Sequence, residues 1–144
     1  MLKTYNKHVP KTKLIPQEDA LGCGFACVAV VLGITYKSAA KRLPDIYKIA
    51  QQTGLWCKDI VLALKKSGKP AYFEKITHKN IAQIEKLGTI IYTKDGPSDL
   101  IGHYLVKVRE GWHNCWINWP SMKPVKAGIQ KTFSGKPLYA VFLD

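Results

Sequence analysis

Cys23 stands between Gly22 and Gly24 at the head of an apolar run that continues to Leu32. If that run is a helix, its free N–H groups and the positive end of its dipole favour thiolate over thiol. A neighbouring imidazole would lower the thiol pKa further and give a thiolate–imidazolium pair, a nucleophile for acyl groups. His103 is the candidate imidazole. It opens an alternating run, 103–109, and a second run, 112–119, follows Glu110-Gly111. A two-residue turn there pairs Arg109 with Trp112, Val108 with His113, Val106 with Cys115, Tyr104 with Ile117 and His103 with Asn118. Opposed residues share a face with Cβ atoms about 4.5–5.5 Å apart, and a one-residue slip would separate them. The Asn118 carboxamide oxygen could then accept from one ring N–H, fix the tautomer and aim the other nitrogen at the thiol. Acyl transfer also develops charge on a carbonyl oxygen, which calls for two donors. One is the nucleophile's own backbone N–H, and Gln17, on the approach to Cys23, is the candidate for the second.

The remaining cysteines read differently. Cys27 and Cys57 are expected in the core as small apolar residues. Cys27 lies one helical turn beyond Cys23, and a zinc site could be drawn with Cys57, Cys115, His113 or His78. The tight Cys-x-x-Cys pair of structural zinc is missing, so no metal and no cofactor is expected. Trp112, Trp116 and Trp119 either fill the core, line a substrate groove or stack on bases. The expected substrate contacts are Gly22, Gly24, Gly102 and Trp119, the glycines beside Cys23 leaving room for a peptide to approach.

These side chains need elements to hold them. The segment from Phe25 to Leu32 is a buried helix or a buried strand, which periodicity alone does not separate. A helix apolar on every side would be a central one. Residues 36–43 predict a short basic helix ending at Pro44. Thr53 is placed to cap a helix over 54–67, with Trp56, Ile60, Ala63 and Leu64 inward and Gly68 as its stop. Residues 70–76 predict a strand, 77–87 a helix with Ile81 and Ile84 inward, and 89–93 and 138–143 two more strands. Helices thus dominate the first half and strands the second, the order of an α+β fold with an antiparallel sheet packed on helices.

Gln17 followed by Gly22-Cys23-Gly24-Phe25-Ala26-Cys27 resembles the signature of papain-like cysteine peptidases of the bacteriocin-processing family, which cut after double-glycine leaders. Gly102-His103-Tyr104 opening a strand, and Ile117-Asn118 with Pro120 closing the next, extend the resemblance over roughly residues 15–143. It implies a papain-like fold in one domain spanning 1–144, with a central helix packed on a C-terminal sheet and an extended basic arm over 1–15. It implies Cys23 as nucleophile, His103 as base and then acid, Asn118 as orienting residue and Gln17 in the oxyanion hole. The family places Asp where Gly22 stands. Its members are usually fused to a membrane exporter, of which this sequence carries none.

Composition narrows the alternatives. The chain has 144 residues, 47% of them hydrophobic and 22% charged, ordinary for one globular domain. Lys and Arg number 22 against 10 acids, a formal charge of +12. Only Arg42 and Arg109 are arginines, and the bases are spread along the chain rather than clustered, so nucleic acid is not the expected partner. An acidic partner attracted to the cationic surface is the sharper possibility. No apolar stretch is long enough to span a bilayer, and a cytoplasmic location is the default. The functions to weigh are a peptidase or thiol hydrolase acting on a peptide or protein, a non-catalytic papain-like domain binding peptide or nucleic acid, and an acyltransferase using the same triad.

Overall fold

The computed structural model describes residues 11–94 and 102–144. Within them lie four α-helices and a six-stranded sheet in which every paired strand is antiparallel. The first ten residues of the expected basic arm lie outside the described residues.

Helix α1, Cys23–Leu32, settles the helix-or-strand question. Phe25, Ala26, Cys27, Val28 and Ala29 are all fully buried, so α1 is the central element on which the other layers pack. It ends at Gly33, whose φ of 69° lets its N–H and that of Ile34 turn back to the carbonyls of Val30 and Ala29. Helix α2, Tyr36–Arg42, begins where the Thr35 hydroxyl accepts from the Ser38 N–H. Pro44 does end α2, but it also starts α3, Pro44–Gln52, because proline suits a first helical position whose N–H would have no partner. Helix α4, Cys57–Lys66, is capped by the Asp59 carboxylate accepting from the Trp56 N–H at 2.9 Å. Trp56 therefore stands at the cap, 65% exposed, rather than in the inner stripe that Ile60, Ala63 and Leu64 do form.

The strands are β1 (Ala71–Lys75), β2 (Ile90–Lys94), β3 (His103–Val108), β4 (Gly111–Asn114), β5 (Gly128–Gln130) and β6 (Lys136–Leu143), in the order β1-β6-β2-β3-β4-β5. Alternation divides them between two apolar layers. Ile90, Tyr104, Val106 and Val141 face the helices. Ile91, Leu105, Trp112, Ala140 and Phe142 pack with Ile84 in a second cluster. The predicted helix over 77–87 is reduced to a 3-10 turn, Ile81–Glu85, with Ile84 buried and Ile81 46% exposed. A single buried position cannot hold a longer helix against the sheet.

The β3–β4 hairpin departs from the expected register. Val106 faces His113, Lys107 faces Trp112 and Val108 faces Gly111. The turn is Arg109-Glu110, and Gly111 already belongs to β4. Its φ is +149°, and a Cβ there would lie 2.5 Å from the Gln130 carbonyl oxygen. The glycine serves the close approach of β5 rather than the turn.

Candidate active site

Cys23 opens α1 directly after Gly22, which takes the N-cap position and contributes no side chain to it. The first N–H groups of the helix therefore stay directed at whatever lies beyond its end. Burial by itself would raise the Cys23 thiol. The hydrogen bond and charge of His103 oppose this, together with the backbone N–H groups of Tyr104 and Gly24, and the net effect lowers its pKa. Cys23 is half-buried, whereas Cys27 and Cys115 are fully buried and burial pushes both thiols well up.

His103 is the first residue of β3. Its approach is fixed by Tyr92, whose hydroxyl accepts from the Gly102 N–H at 3.0 Å. A Cβ at Gly102 would overlap the Tyr92 ring, so this glycine makes room for Tyr92 rather than for substrate. The His103 ring Nε2 lies 2.8 Å from Oδ1 of Asn114. With Nε2 engaged there, Nδ1 is the nitrogen left for Cys23, the division of labour a thiolate–imidazolium pair requires.

Asn114, not Asn118, occupies the orienting position. Val106–His113 is a direct pair, so Asn114 falls opposite Leu105 and is a diagonal neighbour of His103. Its Oδ1 also accepts from the Trp116 N–H at 3.0 Å, and its Nδ2 donates to Oε1 of Gln130 at 3.0 Å. Asn118 lies in the turns that follow β4. There its amide donates to the Pro124 carbonyl and accepts from the Lys126 N–H, holding that loop together. Trp119 is 71% exposed in the same loop.

Gln17 is buried beside the loop that leads into Cys23. Its backbone N–H donates to the Cys115 carbonyl at 3.1 Å, and its Oε1 accepts from the Cys115 thiol at 3.1 Å. The amide Nε2 donates to the carbonyls of Asp19 and Ala20 at 2.9 and 3.2 Å. Both amide hydrogens therefore brace the turn before the nucleophile. Cys115 links the two segments, since its thiol also reaches the Cys23 carbonyl at 3.7 Å.

The glycines beside Cys23 turn out to be packing positions. A Cβ at Gly22 would overlap the Tyr36 hydroxyl, which donates to the Asp19 carboxylate at 2.8 Å. A Cβ at Gly24 would press on Tyr104, Ile60 and Leu55 at 3.2–3.3 Å. The open space lies elsewhere. A cavity of about 400 Å³ is walled by Trp56, Phe73, Tyr92, Tyr104 and Tyr139, and Tyr104 directly follows His103. Sequence reasoning missed this aromatic groove because its walls come from four separate strands and the cap of α4.

Among the described residues, no three His, Cys, Asp or Glu side chains converge to hold a metal ion, and no single helix is long and apolar enough to cross a membrane. No protein-family model matches the chain, and no curated protein is significantly similar to it.

Proposed function

We propose that the chain is a papain-like cysteine peptidase, or a closely related thiol hydrolase, acting on a peptide or isopeptide bond. The reading rests on one observation. A cysteine at a helix N-terminus has its thiol pKa lowered by a histidine whose far nitrogen is held 2.8 Å from an asparagine oxygen. The buried central helix against an antiparallel sheet supports the same fold. The aromatic groove, whose wall residue Tyr104 directly follows His103 in β3, offers a peptide an apolar bed.

In this mechanism the Cys23 thiolate attacks the substrate carbonyl carbon. The developing oxyanion meets the Cys23 backbone N–H at the helix end. Gln17 adds a second donor by exchanging its longer bond, to the Ala20 carbonyl, for one to the oxyanion. His103, protonated at Nδ1, gives that proton to the leaving amine as the carbon–nitrogen bond breaks, and an acyl thioester on Cys23 remains. His103 then takes a proton from water, and the hydroxide so formed cleaves the thioester. Asn114 keeps the imidazole in the plane that serves both steps.

The test is labelling of the intact protein with a thiol-reactive peptide electrophile, followed by peptide mapping. Cys23 should react first, ahead of Cys27, Cys57 and Cys115, whose thiols are all pushed up by burial. Cys23→Ala should abolish turnover of a peptide library and leave folding intact. Turnover retained in that variant, or equal labelling of all four cysteines, defeats the proposal.

A further inference from the structure

The three segments that deliver Gln17, Cys23 and His103 meet again at their other ends, around a second hollow. This groove, of about 420 Å³, is lined by Lys13 and Ile15 of the arm, Val30 and Val31 of α1, Val106 of β3 and Arg109 just past it. Val30 lies seven residues beyond Cys23, about 10 Å along the helix axis. Val106 lies three residues beyond His103, about 10 Å along the strand. The groove thus sits behind the candidate active site, at the opposite ends of the same elements.

Its chemistry is one-sided. The floor is aliphatic, and among the described residues no Asp or Glu lines it. Of its three cations, Lys107 is neutralised by Glu85 at 2.9 Å. Lys13 and Arg109 are exposed and form no ion pair within 4 Å among the described residues, and the Glu110 carboxylate, held by Thr12 at the rim, feels the Arg109 charge. An apolar bed flanked by Lys13 and Arg109, with Glu110 beside Arg109 as the nearby carboxylate, keeps an excess of positive charge and complements an acidic chain that also presents aliphatic side chains. A multiply charged partner also gains from the field of the whole +12 protein, whereas a single carboxylate gains far less.

We infer that this groove is an exosite for an acidic amphipathic peptide segment of a partner or substrate protein. Binding there leaves the face bearing Cys23 and His103 open, so the two sites are occupied independently. The inference goes beyond the peptidase reading and does not need it.

The experiment uses the full chain with Cys23 alkylated by iodoacetamide, which removes catalysis from the question. The probe is a fluorescein-labelled peptide of repeated Glu-Glu-Leu-Leu units, followed by anisotropy at low salt. Saturable binding is expected, with equal affinity before and after alkylation. Reversal of both charges, Lys13→Glu with Arg109→Glu, should weaken it about tenfold or more, the effect of about 1.4 kcal/mol. Lys136→Glu makes a control at the far end of β6, about 23 Å along the strand from Leu143, which lines the groove. It changes the charge by as much as either groove reversal alone, so it is compared with Lys13→Glu and with Arg109→Glu singly, and should change affinity little. Four outcomes of the direct titrations overturn the inference, besides one of competition. They are no saturable binding, an equal loss with Lys136→Glu, loss of binding on alkylation, and undiminished binding of a Glu-Glu-Ser-Ser peptide. The last would mean that charge alone suffices, as for a nucleic-acid surface. Displacement of the peptide by dodecanoate at equal charge-reversal sensitivity would assign the groove to a small amphiphile instead and likewise overturn the peptide exosite. Each result is read without peptidase activity, so failure here and failure of the peptidase reading are distinguishable.

Discussion

Oδ1 of Asn114 receives two hydrogen bonds at once, from the His103 ring at 2.8 Å and from the Trp116 backbone N–H at 3.0 Å. The backbone group can only donate, so it fixes which end of the carboxamide faces the imidazole. His103 must then carry its proton on Nε2 when neutral. Removing Asn114 strips the imidazolium of an acceptor, an interaction of about 1.5–3 kcal/mol for a charged group. Asn114→Ala should therefore slow iodoacetamide alkylation of Cys23 near neutral pH by about tenfold and shift its pH–rate profile upward. Asn118→Ala, which only loosens a loop, should leave the profile in place.

Gln130 holds the other end of the same amide. Its Oε1 accepts from Asn114 Nδ2 at 3.0 Å, and its own Nε2 donates to the Thr132 carbonyl at 2.8 Å. A backbone donor at one end of the relay and a backbone acceptor at the other give it a single direction. Gln130→Leu leaves Asn114 Nδ2 without its acceptor and should lower the alkylation rate by a smaller factor than Asn114→Ala. Gln130→Glu keeps an acceptor for Nδ2 and should restore most of the loss. Ring-nitrogen chemical shifts of His103 report the tautomer directly and should show the Nε2–H form in both Gln130 variants, where the Trp116 N–H still orients the carboxamide, and a mixture in Asn114→Ala.

Tyr36 fills the space that a side chain at position 22 would need. Gly22→Ala should destabilise the fold by about 1–3 kcal/mol, the usual range for overpacking. Tyr36→Phe removes the hydroxyl and with it the bond to Asp19, so it should be destabilising by itself. Combined, the two should cost less than their sum, because losing the hydroxyl removes the overlap and leaves the ring carbon, at 3.2 Å, as the nearest part of that side chain. Urea denaturation of the four proteins measures the coupling. Strict additivity would mean that Tyr36 does not set the identity of residue 22.

The burial of the segment after Cys23 and the mixed class were legible because they rest on local signals, namely glycine brackets and apolar runs, whereas the same signals left helix and strand open there. The hairpin was legible in parity but not in register. Moving the turn by one residue shifts the pairing by two, from Val108–His113 to Val106–His113, and keeps every side chain on its expected face, so alternation could not detect the change. What shifted it was β5, a three-residue strand with no hydrophobic signature, whose Gln130 carbonyl demands a glycine opposite it. The orienting residue moved with the register. After Asn114 the chain leaves β4, and Cys115 turns to meet Gln17 from the arm. Asn118 is thereby carried into a loop. Such contacts join residues far apart in sequence, and composition does not announce them.

His113 is the arm's other anchor, and it makes stability depend on pH. Its ring is fully buried, and Nε2 accepts from the Ile15 N–H at 3.0 Å. Accepting there places the ring proton on Nδ1, which has no partner among the described residues. Burial lowers the His113 pKa from 6.5 to about 4. The unfolded chain takes up the proton below pH 6.5, and the folded chain does so only below about 4. Stability should therefore fall as pH drops from 6.5 towards 4 and level off below, a loss of about 3 kcal/mol from this group. Glu110 acts in the same direction lower down, since its bonds from Thr12 hold its carboxyl below the usual range. Subtracting the curve of His113→Gln, which keeps an acceptor for Ile15 but does not titrate, isolates the histidine. The difference should be confined to the window between pH 6.5 and about 4. A difference that is flat with pH would show that His113 takes up its proton equally readily in the folded and unfolded chain, so that the ring is not held as a buried neutral acceptor for the arm.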